Sequence, residues 1–349
     1  MGVFEWVDPP QGIQAIPSRF LYRWKYNQDG KPCRQKSRVV VQGFHEADTG
    51  ADKAATVASQ ESVHLLIDNA ANNGLILRQV DVKTAFLQAR MERDDPDVYV
   101  IPSKGFECEE KQKDQVWRLK AWLYGLRLSR GWWGTMHTLL EIGFVSSTAD
   151  PCVYNLDYGV VFLLLYVDDI LLSGSDDEKV LQVIEKLKDR FETVDLGDAK
   201  FLLERGIHRN VQEDTNILSQ ETHARSILET YGMADARPTR TPAEAGPVQI
   251  EEDEILSTED TTLFRSATGS LFYLSWCARP DIAHAVMILT RIKSKPGTRM
   301  MTEMRRVLRY LNGTTSMGLP YSEDAENGDE LTVYVDADHG DMDKGYSTT

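Results

Sequence analysis

The sequence predicts an α+β protein with more than one subdomain, and three observations carry that reading. Val160 to Gly174 is an apolar, partly β-branched run split by Asp168-Asp169, the pattern of two buried strands joined at a tight turn around Tyr166 to Asp169. Leu75 to Phe86 contains a second apolar strand that ends on Asp81. Stretches with helical spacing flank these strands, clearest in Asp176 to Phe191, where Val180, Ile184, Leu187 and Phe191 form one stripe. Strands and helices in this order make a sheet backed by helices.

Composition bounds the rest. The chain has 349 residues, 42% hydrophobic and 27% charged, enough for a substantial core. The four cysteines, Cys33, Cys108, Cys152 and Cys277, are isolated, which argues against a zinc site or a disulfide framework and favours a reducing compartment. No apolar run reaches the length of a bilayer, and the N-terminus lacks the basic-then-apolar pattern of a signal peptide. A soluble, intracellular protein without a membrane partner is expected. The net charge of −15 sits awkwardly with nucleic-acid binding, because phosphate contacts come from Lys and Arg. The acidic residues, however, gather in Glu92 to Asp97, Glu107 to Glu110, Glu251 to Asp260 and Glu323 to Glu330, which leaves basic patches elsewhere.

Taken along the chain, Phe20 to Tyr26 and Ser37 to Phe44 read as strands of a basic hairpin turning at Asn27-Gln28-Asp29-Gly30. Glu61 to Asn72 carries apolar residues at helical spacing and stops at Asn73-Gly74. Lys83 to Met91 reads as a helix, Asp97 to Pro102 and Gln115 to Leu119 as short strands, and Trp132 to Ile142 as an amphipathic helix with Trp132 and Trp133 in the core. Beyond the central hairpin, Asp195 opens another strand pair, and Leu218 to Tyr231 reads as a capped helix ending at Gly232. Arg237 to Pro247 is rich in Pro, Thr and Ala and leads into acidic residues, the best linker candidate. Phe264 to Cys277, Pro280 to Lys293 and Thr302 to Leu311 then read as three helices.

Ionised Asp is rarely buried unless it is paired or binds a metal. Carboxylates at two strand ends of one domain suit Mg²⁺ or Mn²⁺, which take few protein oxygens and complete their shell on substrate phosphates. Two such sites could hold two ions, one activating an attacking oxygen and one steadying the leaving oxygen. A solvated hairpin turn is the plain alternative.

Several boxes make the chain resemble one family. Tyr166-Val167-Asp168-Asp169 is similar to the catalytic box of reverse transcriptases, and Val80-Asp81-Val82-Lys83-Thr84-Ala85-Phe86-Leu87 to the first-aspartate box of the Ty1/copia retrotransposon enzymes. Leu123-Tyr124-Gly125-Leu126, Asp195 to Lys200, Ala278 to Ala283, Arg306 to Leu311 and Val335-Asp336-Ala337-Asp338 follow in the family's order. The resemblance implies a right-hand polymerase fold: fingers and palm over 1–235, a linker over 236–262, a helical thumb and connection over 263–320, and a truncated ribonuclease H start over 321–349 that bears Asp336. It implies an RNA-directed DNA polymerase that extends a DNA primer on an RNA template with dNTPs, cytoplasmic and particle-associated, with a nuclear location left open. It further implies that Asp81, Asp168 and Asp169 bind two Mg²⁺ or Mn²⁺ ions. Lys25 and Arg38 would meet phosphate, Phe86 would stand under the sugar and exclude a 2′-hydroxyl, and Tyr124, Gly125, Tyr166 and Val167 would contact nucleotide or primer end.

The chain departs from the family at four places. Arg130 stands where Pro is usual, Leu203 to Gly206 replaces an early Gly in the segment resembling the primer-gripping turn, and His339 replaces Trp. The ribonuclease H start lacks the rest of that domain, so ribonuclease H activity is not expected. These departures keep open a second reading, a decayed or co-opted fragment that binds nucleic acid without chemistry.

Overall fold

The computed structural model describes residues 2–26, 32–45, 57–83, 91, 95–106, 112, 114–126, 131–203, 205–210, 215–244 and 254–322, with backbone only at 25, 26, 33 and 131–135. The turn at 27–30, residues 84–90 of the helix expected from Lys83 to Met91, including Phe86, the position of Arg130 and the strand leading to Asp336 lie outside the described residues. The chain divides into two compact units, Met1–Leu66 with Ile76–Asp198, and Ile67–Leu75 with Ala199–Thr349.

The first unit holds two sheets. One has the order β1-β6-β5-β2-β3, formed by β1 (Phe4–Val7), β2 (Ile16–Tyr26), β3 (Pro32–Val41), β5 (Tyr99–Ile101) and β6 (Val116–Leu119). Its dominant pair is the antiparallel β2–β3 ribbon, in which Leu21 faces Arg38, Arg23 faces Lys36 and Lys25 faces Arg34. Both strands start earlier in the chain than the apolar pattern suggests. Their charged residues alternate and are carried by the partner strand's hydrogen bonds.

The second sheet positions the carboxylates. Its order is β11-β4-β10-β9-β8-β7, from β4 (Ile76–Val82), β7 (Val145–Ser146), β8 (Val153–Leu156), β9 (Val161–Tyr166), β10 (Asp169–Gly174) and β11 (Thr193–Asp198). Every pairing is antiparallel, and β4 inserts between β10 and β11. The central strands are apolar on both faces. Leu163, Leu164, Leu165, Ile170, Leu171 and Leu172 are all fully buried, which explains the continuous rather than alternating pattern.

Helix α1 (Gln60–Asn72) precedes β4, and α2 (Gly131–Ile142) and α3 (Asp177–Arg190) pack together, α3 against β10 and β11. Asp176 caps α3 by accepting a bond from the Lys179 N–H, and Val180, Val183, Ile184 and Leu187 are its buried stripe. The expected Val180, Ile184 and Leu187 are in that stripe, while Phe191 lies one residue past the helix.

The second unit combines a small sheet, β12 (Phe201–Leu202), β13 (Arg205–Asn210), β14 (Thr215–Ser219) and β15 (Gly318–Ser322), with α4 (Glu221–Thr230), α5 (Thr258–Cys277), α6 (Ala283–Arg291) and α7 (Thr298–Asn312). Leu218 and Ser219, read from the sequence as the start of α4, end β14, where Leu218 pairs with both Ile207 and Leu319. Two strand partners outweigh a local helical pattern. Phe264, Leu271 and Leu274 of α5 meet Val286 of α6 and Met304 and Leu308 of α7 in one buried cluster. The candidate linker is fastened to α7: the Arg309 side chain donates to the Arg237 carbonyl at 2.7 Å, and Asn312 donates to the Ala236 carbonyl at 2.8 Å. No helix among the described residues is long and apolar enough to cross a membrane.

Candidate active site

The register of the second sheet brings the acidic residues together. Asp169, the first residue of β10, is the direct cross-strand partner of Asp81 near the end of β4. Tyr166 closes β9 opposite Asp169, so Val167 and Asp168 form a two-residue turn. Val167 has φ +58°, the sign that favoured two-residue hairpins require at their first turn position and that a β-branched residue resists. The turn is pinned to β4 by the Val82 N–H, which donates to the Asp168 carbonyl at 2.8 Å.

The two adjacent carboxylates have different partners. Gln79, on the same face of β4 as Asp81, donates through Nε2 to Asp169 Oδ1 at 3.2 Å. The Tyr124 hydroxyl donates to Asp168 Oδ2 at 3.1 Å. Asp168 Oδ1 is buried and has no hydrogen-bond partner among the described residues. Burial raises the pKa of Asp168, which Asp81 reinforces, against the Tyr124 hydrogen bond and the charges of Lys36 and Arg38. Burial also raises that of Asp169, with Asp81 and Asp168 reinforcing it and Gln79 opposing. Burial, and next the charge of Asp168, push the Tyr124 phenol well up, so Tyr124 is a neutral donor at physiological pH.

Asp81, Asp168 and Tyr124 line a cleft of about 600 Å³ together with Arg34, Lys36 and Arg38. The cations occupy alternate positions of β3 and therefore share a face. Phe4, Phe106 and Trp117 supply apolar lining, with Phe106 edge-on to Trp117 at 4.7 Å. Lys83 also reaches the cleft and pairs with Glu192 at 2.7 Å. Asp169 is not part of the cleft lining.

The expected residues thus fall into three groups. Asp81, Asp168, Arg38 and Tyr124 share the cleft. Asp169, Tyr166, Val167 and Gly125 flank them in the same strands, turn and loop. Lys25 is described only by its backbone, opposite Arg34, and Phe86 and Asp336 lie outside the described residues. Arg34, Lys36 and Gln79 were not singled out from sequence. The alternation Arg34-x-Lys36-x-Arg38 is a signal that could have found the first two, whereas Gln79 is visible only through the β4–β10 register.

Carboxylate oxygens beside an orphaned, buried Asp168 Oδ1 fit a hard divalent cation. Among the described residues no group of three or more His, Cys, Asp or Glu is placed to hold a metal ion.

A sheet that presents paired carboxylates beside a basic, partly apolar cleft offers oxygen ligands for a divalent cation next to cations that suit a phosphate. Residues 1–245 match the family described as "Reverse transcriptase (RNA-dependent DNA polymerase)", and the chain belongs to it. It is 33% identical over its whole length to the retrovirus-related Pol polyprotein from transposon TNT 1-94 of Nicotiana tabacum, spanning 27% of that protein. It is 31% identical to the putative transposon Ty5-1 protein of Saccharomyces cerevisiae, over 75% of this chain and 83% of that protein. These relatives make it a reverse transcriptase domain of the Ty1/copia-type Pol polyproteins. A solved foamy viral protease–reverse transcriptase in complex with double-stranded DNA aligns with a TM-score of 0.47 and 13% identity, over 89% of this chain and 45% of that one, a likeness too slight to argue from.

Proposed function

We propose that this chain extends a DNA primer on an RNA template with dNTPs, using Asp81, Asp168 and Asp169 around two Mg²⁺ or Mn²⁺ ions. The observation that carries the reading is the register that pairs Asp169 with Asp81 and sets Asp168 beside them in the turn. Two segments far apart in sequence, one bearing Asp81 and the other Asp168-Asp169, meet at one end of the sheet, with Asp81 and Asp168 lining a basic cleft. When bound, the ions would lower the pKa of the primer 3′-hydroxyl and neutralise charge on the departing pyrophosphate.

The protein's own part is positioning and charge stabilisation. Arg34, Lys36 and Arg38 hold the triphosphate, with Lys25 as a further candidate. Tyr166 and Val167 support the primer end, Gly125 lets the backbone approach the nucleotide, and Phe86 excludes a 2′-hydroxyl. In this reading residues 1–235 are fingers and palm, 236–262 a linker, 263–320 thumb and connection, and 321–349 a ribonuclease H start with Asp336.

One observation favours the second reading, a fragment that binds nucleic acid without chemistry. Leu203, in the turn that resembles the primer grip, is held at φ +52°. Extension of oligo-dT on poly-rA with Mg²⁺ separates the two. Incorporation well above an Asp168→Ala control is expected. Incorporation no greater than the control leaves only the second reading, and equal robust rates in both proteins remove the metal assignment.

A further inference from the structure

Tyr124 connects the basic strand to a candidate metal ligand. Its segment is stitched to the end of β3 and the turn just after it by two backbone bonds: the Val41 N–H donates to the Tyr124 carbonyl at 2.8 Å and the Gly43 N–H to the Gly125 carbonyl at 3.0 Å. Gly125 permits this approach. It has φ +94°, and a Cβ there would overlap the Val41 carbonyl oxygen. From that fixed backbone the Tyr124 ring lies 5.5 Å from the Arg38 guanidinium carbon, within cation–π range. The hydroxyl at its far end donates to Asp168 Oδ2. Asp168 is then held at two points, its carbonyl by Val82 and its Oδ2 by Tyr124, while its other carboxylate oxygen stays buried and unpartnered among the described residues.

We propose that Tyr124 is a positioning residue for Asp168: its hydroxyl fixes the carboxylate so that Oδ1 is presented to the divalent cation, and its ring ties that orientation to Arg38 on the basic strand. The proposal rests on the polymerase reading and gives Tyr124 a role distinct from direct nucleotide contact. A carboxylate turns freely about its last torsion. One donor on Oδ2 restricts that freedom and leaves Oδ1, which has no other partner among the described residues, available to a cation when one is bound.

The test uses Tyr124→Phe in the full chain, which keeps the ring and its stacking on Arg38 and removes only the donor. On poly-rA and oligo-dT, the Mg²⁺ concentration for half-maximal rate should rise roughly tenfold, the size expected for losing one hydrogen bond to a charged group, and kcat should fall while KM for dTTP stays within about twofold. Without nucleotide, Mn²⁺ bound by the protein, measured from the electron paramagnetic resonance of free Mn²⁺, should fall in the same variant. Thermal melting of both proteins shows whether the variant folds. If it does not, Asp168→Asn supplies the comparison: weaker Mn²⁺ binding supports the Asp168 carboxylate as the ligand that Tyr124 orients, and unchanged binding overturns the proposal. A raised KM for dTTP with unchanged Mg²⁺ dependence makes Tyr124 a nucleotide contact and overturns it, as does tighter Mn²⁺ binding by Tyr124→Phe. If the wild-type chain extends no primer, the polymerase reading fails and the Mn²⁺ measurement alone decides this one.

Discussion

Two residues with left-handed backbones show how much a single φ can decide. Val167 and Leu203 each open a two-residue turn between paired strands, at φ +58° and +52°. Each conformation costs on the order of 1–2 kcal/mol in a residue with a Cβ. At Val167 the strain sits in the turn that carries Asp168, where strained backbone and function commonly coincide. Leu203 has no such neighbour, and nothing in the structure explains a Leu there. Leu203→Gly should therefore raise the melting temperature by a few degrees, a net gain of up to about 1 kcal/mol after the added freedom of Gly in the unfolded chain. Scanning fluorimetry checks this, and a lower melting temperature would mean that packing of the half-buried leucine outweighs the strain. The sequence already marks this segment as one where the family has Gly. What it lacks is the sign of φ, the physical reason for that preference. The reverse holds at Tyr124, whose box is recognisable but whose bond to Asp168 spans 44 residues and leaves no local pattern.

At the scale of elements, local signals were legible and pairings were not. The Tyr166 to Asp169 turn and the stripe of α3 follow from apolar spacing, which the chain carries within a dozen residues. The insertion of β4 between β10 and β11 depends on contacts across roughly a hundred positions, and it creates the Asp81–Asp169 pair. The entry to α1 shows the same limit. The sequence pattern starts that helix at Glu61. In the structure Ser59 caps it, its hydroxyl oxygen accepting from the Ser62 N–H at 3.0 Å. Asp150, next to the β7–β8 hairpin, anchors that cap, accepting from the Ser59 N–H at 2.9 Å, the Ser62 hydroxyl at 2.6 Å and the Cys152 N–H at 2.9 Å. Burial pushes its pKa up, but these three donors together hold it below the ordinary 3.8. A depressed folded pKa contributes stability that is present above the unfolded value and lost as pH falls through the folded one. Asp150→Asn should cost about 2 kcal/mol at neutral pH, and the gap to wild type should narrow in the window below 3.8. Urea unfolding of both proteins at neutral pH and at about pH 3 measures the gap, and a constant difference would show that the charge is not what holds the cap.

For the whole molecule, the division into two units predicts what the chain can lose. The second unit is discontinuous. It takes Ile67–Leu75 from the C-terminal half of α1 and the approach to β4, and only resumes at Ala199. Within that short stretch Ile67, Ala70 and Ala71 are buried, and the Ile67 carbonyl accepts from Asn216 Nδ2 at 3.4 Å. One helix therefore begins in one unit and ends in the other, so neither folds as an uninterrupted length of sequence. Cutting at Asp198 would keep every carboxylate of the candidate site and all of the six-stranded sheet. It would also strip the buried face of Ile67, Ala70 and Ala71, whose exposure costs roughly 25 cal/mol per Å² of apolar surface. A fragment of residues 1–198 should consequently aggregate or bind a hydrophobic dye on gel filtration, while a chain ending at Ser322 should elute as a folded species. A soluble, cooperatively melting 1–198 fragment would show that the first unit is self-sufficient and that the shared helix is dispensable to it. Within the expected linker, the Pro and Thr residues of 236–244 suit an extended segment, and long-range contacts tie that segment along α7: the Thr239 hydroxyl donates to the Arg306 carbonyl and the Arg309 side chain to the Arg237 carbonyl.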